Sequence, residues 1–506
     1  MRTVASLGFI FLIITACSTQ NYNQYLITDF GAKGDSSTLN TRFIQAAIDK
    51  AFKNGGGRVV VPAPGKFITG TIMLKDNITF DIQAGASIIG SDTIADYIPY
   101  KWENFNRDVT PYHLIIAKDA KNVTLEGRGT VDGRGKNFWE YTEVQPRWMN
   151  NRVDRPSPMV SFENCTNAKI RDLFLTNSAG WTVHLLHCNH VEVNGIRIVN
   201  NLFGPNNDGI DINGSTNIIV SNCYIKTCDD AICVKAYEKD AYNIVVTNNV
   251  LQTLCVALKI DENCKKIHNV AFNNCIITKS SRGLAIYAVL GGDIENIVVD
   301  NIVCDTNAPL VLNRPIQISA WDRKEGDSLL FGGYIRNVTI SNFTATTEGR
   351  MLITSNQGKK VENVTLRDIK IFYPFIENPL LYTPGIQSSQ FKGMETEAKN
   401  ALAAIVASNL KNFVLDGLQI DWPRTKITPE EWTFPERIEN GNKEVVHKPA
   451  YNKVKQIEMS ALKVINCEGG YVFAPLASSS SAELLPVVIE KSNIKISNIP
   501  YVKIHN

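Results

Sequence analysis

The chain has 506 residues, 44% of them hydrophobic and 20% charged, which is enough apolar material for a large core. Its formal net charge is only +2, and it has no basic run of the kind that neutralises phosphates. That balance excludes nucleic acid as a partner. Length alone suggests about three domains at ~150 residues each, an inference that lapses if the chain is repetitive.

In chain order, the first feature is a targeting segment. Arg2 supplies a positive charge, and "VASLGFIFLII" is an apolar stretch too short to span a bilayer. It ends in "ITAC", which resembles the bacterial lipobox, with Cys17 as the lipidated residue. Ser18 comes next, which by the same resemblance implies the outer membrane. The expectation is a signal peptide over 1–16, a tether over 17–25 and one catalytic domain over 26–506. Such a protein is exported and lipid-anchored, periplasmic or surface-exposed, and does not span the membrane.

Next comes a helix. Phe43, Ile44, Ala47, Ile48 and Ala51 share one face at helical spacing, and "GGG" at 55–57 ends the run. This short amphipathic helix is expected to cap the open end of the core built by the rest of the chain.

The greater part of the chain beyond the helix is a repeat. An Asn (once His) opens an apolar alternation, a polar or Gly break intervenes, and a second alternation closes the unit. It reads "NVTLEGRGT" from Asn122, "NAKIRDLFL" from Asn167, "HVEVNGIRI" from His190 and "NIIVSNCYI" from Asn217. Further copies start at Asn243, Asn269, Asn296, Asn337, Asn363 and Asn412. The steps from Asn217 to Asn243, Asn269 and Asn296 are 26, 26 and 27 residues. Period-2 alternation rich in Val, Ile and Thr predicts strands, and a fixed period in the twenties predicts a solenoid. With no long helix between the strands and no regular leucines, the solenoid is a parallel β-helix, all-β in class. Coils stack at ~4.8 Å, so like residues form columns. The stretches near 370–400 and 421–450 lose the period and are expected to be loops or an end cap.

Within the repeat, "NNDGIDI" (206–212) and "CDDAICV" (228–234) place Asp208, Asp229 and Asp230 close together. Aligning the alternations puts Ile210, Ile232, Leu258 and Leu284 in one inward column, and Asp208, Asp230, Val256 and Arg282 in another. The three carboxylates then converge within about one coil spacing, roughly 5 Å. Three anions that close cannot all ionise freely, so at least one pKa is expected to rise. A protonated acid beside ionised bases is what glycosidic cleavage requires. Calcium binding is the rival use of such a cluster. The ten cysteines after Cys17 form no zinc-type pattern, and Cys223 and Cys275 occupy equivalent repeat positions, as buried small hydrophobes do.

The stretch from Phe30 through "FGAKGD" to "GASIIGS", with "VDGRGKNFW" (131–139) and "NSAGWTVHLLHC" (177–188), resembles the polygalacturonase family of glycoside hydrolases, family 28. "NNDGIDI" is similar to its Asn-Thr-Asp motif and "CDDAICV" to its Asp-Asp motif. The resemblance covers about residues 26 to 345. It implies a right-handed β-helix and hydrolysis with inversion, Asp229 acting as acid and Asp208 with Asp230 as bases. Two family motifs are missing. The Gly-His-Gly site aligns with "CVALKI", putting Val256 in place of the histidine, and the Arg-Ile-Lys site aligns with "AIY", so Ala285 and Tyr287 replace cations that grip the uronate.

Lys259, one coil before Ala285, is the candidate replacement for that clamp. Asn206, Lys235, Arg282 and Tyr287 are further substrate-binding candidates on the outer face. Trp181 and His184 lie on the coil before Asp208, where a ring could stack on a sugar or pack in the core. The sequence therefore predicts a monomeric glycosidase acting on a pectic or other acidic polysaccharide, with no cofactor and no metal. The alternatives are a calcium-dependent β-helix lyase and a catalytically silent glycan-binding lipoprotein.

Overall fold

The computed structural model describes residues 23–100, 109–140, 150–151, 154–306, 314–325, 328–330, 332–347, 349–355, 358–373, 401, 403–421, 437–439, 442–444, 460–473, 487–499 and 502–505. The predicted signal, Cys17 and most of the irregular stretches at 370–400 and 421–450 lie outside these residues. Among the described residues no helix is long and apolar enough to cross a membrane.

The chain winds into a right-handed parallel β-helix. One wall is a 14-stranded parallel sheet that runs in chain order from Ile72–Leu74 to Val502–His505. The remaining walls merge into a 23-stranded sheet that carries the repeats. Along this second sheet the register joins Ile218 to Ile244, Ile244 to Val270, Val270 to Ile297 and Ile297 to Val338. All five side chains belong to the main core. The predicted columns therefore exist, and they are apolar because each coil must bury its inner face against the next.

The Asn that opens each repeat has a conformational job. Asn122, Asn167, Asn217, Asn243, Asn269, Asn296, Asn337, Asn363 and Asn412 all adopt left-handed φ between 55° and 57°. Asn tolerates that region better than most residues, and here it turns the corner between walls. The freed amides form a ladder. Asn243 Nδ2 donates to Asn217 Oδ1 at 3.0 Å, Asn269 to Asn243 at 3.2 Å, and Asn296 to Asn269 at 3.2 Å. His190 takes the same φ of 55° without an amide, and Asn217 donates to Asn189 Oδ1 at 2.8 Å instead. The 41-residue step from Asn296 to Asn337 keeps the ladder at 3.1 Å, because the extra length leaves the stack. Part of it pairs as an antiparallel hairpin, Arg323–Glu325 with Ser328–Leu330.

The predicted helix spans Thr41–Lys53 and buries Ile44, Ala47, Ile48 and Ala51. Phe43 is only partly buried. Burying an isoleucine stabilises by about 1.5–3 kcal/mol, so Ile44 and Ile48 carry most of the capping energy. Gly56 lets the chain leave the helix. It has φ of 122°, and a Cβ there would lie 2.6 Å from Asn77. Cys223 and Cys275 are buried thiols in the same column, separated by Asn249 on the intervening coil.

Candidate active site

The carboxylates sit where strands of the 14-stranded wall begin. Strand Ile210–Asn213 pairs with Ile232–Ala236, placing Ile210 against Ile232, and the next pairings add Leu258 and Leu284 to that column. Asp208 and Asp230 stand two residues before these core positions. The Gly209 N–H donates to the Asp230 carbonyl at 2.8 Å, and Val256 pairs with Arg282 further along. The expected columns are thus in register. Asp208 is 3% exposed, Asp229 8% and Asp230 3%.

Burial and charge divide the trio. Burial, then the charges of Asp229, Asp211 and Asp230, hold the Asp208 carboxyl well above the usual carboxylate range, with Lys235 partly offsetting them. Its Oδ1 is buried with no hydrogen-bond partner among the described residues. Asp230 goes the other way. Burial would raise it, but the Lys259 amine, 2.8 Å from Oδ2, with Lys235 and Arg282 further off, holds it below the usual range. The Val256 N–H also donates to Asp230 Oδ1 at 3.2 Å. Asp229 accepts from Asn206 Nδ2 at 3.3 Å and from the Asp230 N–H at 3.0 Å. The site therefore favours one protonated and one ionised carboxyl side by side. The group pushed towards its neutral form is Asp208, whereas the resemblance assigns the acid role to Asp229.

Several candidates have partners the sequence did not reveal. Lys259 lies against Ala285 in the register. Its amine bridges Asp230 and Asp261, at 2.8 Å and 3.1 Å. Lys235 is 2% exposed, pairs with Asp211 at 3.2 Å, and lies 4.0 Å above the Trp181 ring centroid. Trp181 is itself 1% exposed, with His184 edge-on at 5.4 Å, so its ring is covered by side chains and not open to solvent. Burial, then Lys235, His113 and His187, keep the His184 imidazole well below its ordinary pKa and so neutral. Arg282 donates to the Tyr287 hydroxyl at 3.0 Å and to Cys255 Sγ at 3.2 Å. Burial opposes its charge, but Tyr287, Cys255 and Asp230 outweigh that.

At the place of the missing uronate clamp, the Tyr287 hydroxyl accepts from Arg282 and donates to Gln317 Oε1 at 2.9 Å, and that oxygen also accepts from Arg314 at 2.8 Å. Ala285 and Tyr287 belong to a buried apolar cluster with Cys255, Val256, Val289 and Trp321, in which the Tyr287 and Trp321 rings meet edge-on at 5.2 Å. Asp229, Asp230 and Cys255 bring potential ligand atoms within 4.8 Å of one another. That set suits calcium poorly, since calcium takes six to eight oxygens and a thiol offers none.

Sequence reasoning missed Asp211 and Asp261, which answer the two lysines, and Arg155, which is fully buried. Arg155 Nη1 donates to the Ala179 and Pro205 carbonyls, both at 2.9 Å, and supports the loop before Asp208. Asp211 was visible as the second Asp of "NNDGIDI", at outward spacing from Ile210. Arg155 carried no comparable signal.

A family model described as glycosyl hydrolases family 28 matches residues 56–379. A probable polygalacturonase of Vitis vinifera is 26% identical over 349 residues, covering 67% of this chain and 64% of its own length. An exo-poly-alpha-D-galacturonosidase of Dickeya chrysanthemi is 30% identical over 332 residues, covering 54% of each. The chain thus spans less than two thirds of the length of these two curated relatives. The crystal structure of a hyperthermoactive exopolygalacturonase from Thermotoga maritima shares the fold, with a TM-score of 0.60 at 24% identity over 69% of this chain and 87% of that one. With its β-helix, its two Asp motifs in register and a family match across most of its length, this chain belongs to glycosyl hydrolases family 28.

Proposed function

We propose that the protein is a pectin-degrading glycoside hydrolase that works by direct attack of water, with inversion. One observation carries this reading: three buried carboxylates on adjacent coils, with Asp208 biased to its neutral form and Asp230 to its ionised form. Environments that push neighbouring carboxyls apart are the mark of acid–base division of labour. Asp230, kept ionised by Lys259, takes the proton of water. Asp208 offers an open acceptor beside it, and Asp229 delivers a proton to the leaving oxygen, a role that rests on its motif position. The relatives' names support a galacturonate-containing chain as substrate. Ala285 and Tyr287 stand where the family has two cations, which favours a branched pectic chain or rhamnogalacturonan over unmodified polygalacturonate, since a desolvated carboxylate requires a paired cation.

Incubating the purified protein with polygalacturonate, rhamnogalacturonan and other acidic polysaccharides tests this. Reducing ends are expected to appear without ultraviolet-absorbing unsaturated sugar and without loss on chelation. Unsaturated product would establish a lyase, and binding without turnover a silent glycan-binding protein. Fast cleavage of plain polygalacturonate would overturn only the substrate preference.

The "ITAC" motif supports a further proposal, that acyl chains on Cys17 hold the protein at the outer membrane. Cys17→Ser is expected to move it from the membrane fraction to a soluble or uncleaved form. An unchanged fractionation profile would remove the anchor.

A further inference from the structure

Asn207 stands directly before Asp208 and is fully buried. Its side chain is engaged at both ends. Nδ2 donates to the Asn201 carbonyl at 2.7 Å, across the loop on its own coil. Oδ1 accepts from the Cys228 N–H at 2.7 Å, on the next coil and directly before Asp229. The side chain of Asn207, directly before Asp208, is thereby tied to Cys228, directly before Asp229, on the next coil. Other groups hold the same joint. Asn200 Nδ2 donates to Thr182 Oγ1 at 2.7 Å and to the Asn207 carbonyl at 3.4 Å, while the Thr182 N–H donates to the Asp208 carbonyl at 2.9 Å. On the far side, the Thr227 hydroxyl donates to the Asp229 carbonyl at 2.6 Å, and Thr253 Oγ1 donates to the same oxygen from the coil beyond.

We propose that Asn207 is a positioning residue whose amide sets the spacing between the Asp208 and Asp229 carboxyls by clasping adjacent coils. The inference rests on the hydrolase reading above. Neighbouring strands of a parallel sheet are already held by their ladder, but both carboxylates lie outside it, in the turns that precede Ile210–Asn213 and Ile232–Ala236. The Gly209 N–H bond to the Asp230 carbonyl joins the two coils after Asp208, but before it the Cys228 N–H is met by the Asn207 side chain instead of a backbone carbonyl. Gly204 makes room for the clasp: a Cβ at that position would lie 2.5 Å from Asn207 Nδ2 and 2.7 Å from the Trp139 ring.

Two variants approach the clasp from opposite sides. Asn207→Ala removes it, and Gly204→Ala displaces it without touching either carboxylate. Each is expected to lower kcat by ~10- to 100-fold with KM within about twofold, since a small misplacement of reacting groups costs rate before binding. The acidic limb of the pH profile should also move, because the repulsion between Asp208 and Asp229 depends on their separation. Both are to be measured in the full chain on whichever of polygalacturonate and rhamnogalacturonan the wild type cleaves, with circular dichroism and thermal unfolding reporting the fold. Asp229→Asn and Asp208→Asn run alongside. If Asp229→Asn is inactive while both clasp variants retain wild-type kcat and pH profile, the clasp is overturned and the hydrolase reading stands. Loss of activity in proportion to unfolded protein, with KM and pH profile unchanged in the folded fraction, would likewise reduce Asn207 to a structural residue. If Asp229→Asn and Asp208→Asn both stay active, or the wild type cleaves no acidic polysaccharide, both readings fall.

Discussion

Asp229→Asn is expected to lower kcat by ~10²-fold or more while leaving KM nearly unchanged, because in the proposed mechanism it removes the general acid without removing bulk. The substitution is close to isosteric. Its carbonyl oxygen can still accept the Asp230 N–H, now at 3.0 Å, and the neighbouring Asn206 amide, now 3.3 Å away, can rotate to meet the new amide. A loss of rate with an intact fold therefore reports chemistry. The companion Asp208→Asn removes the carboxyl that burial and its neighbours push towards the neutral form. Asp208 is pushed towards its neutral form and Asp230 towards its ionised form, so kinetics decide which carboxyl donates the proton. Reducing-end release by both variants decides it. A benign Asp229→Asn beside an inactive Asp208→Asn would transfer the acid role to Asp208.

Lys259→Ala should damage rate and pH dependence together. The lysine stands between two buried acids, 2.8 Å from Asp230 and 3.1 Å from Asp261. Removing one partner of a buried ion pair costs about 3–5 kcal/mol, because the charge left behind is uncompensated. The sign is set by Asp230, whose carboxyl Lys259 depresses. A base must be ionised, so the wild type keeps activity down to that depressed value. Without the lysine, Asp230 titrates higher, and the acidic limb of kcat should move to higher pH. Stability obeys the same linkage. The wild-type contribution from Asp230 is present above the ordinary carboxylate pKa and is lost as pH falls through the depressed one, and the variant forfeits it. Thermal unfolding across the acid range and a kcat–pH profile measure both effects. A raised KM with an unmoved acidic limb would instead return Lys259 to the substrate-gripping role that its column suggested.

Sequence alone determined the coil. The repeat period, the Asn at each corner and the inward column of Ile210, Ile232, Leu258 and Leu284 were all legible, because a parallel stack repeats one local problem. The helical face of Ile44, Ala47, Ile48 and Ala51 was legible for the same reason, being set by spacing within a few residues. The three carboxylates and their shared wall came from the register. Tertiary structure decided what that wall does with its charges. Register assigns a residue to a column, but a lysine side chain can swing across several neighbours before it meets an anion. Lys259 turned to Asp230 and Asp261, and Lys235 turned to Asp211 and the face of Trp181. Asn207 and Arg155 escaped notice because their hydrogen bonds join backbones 21 to 50 residues apart. Such contacts depend on the shape of turns between strands, which obey no period, and those turns hold the chemistry.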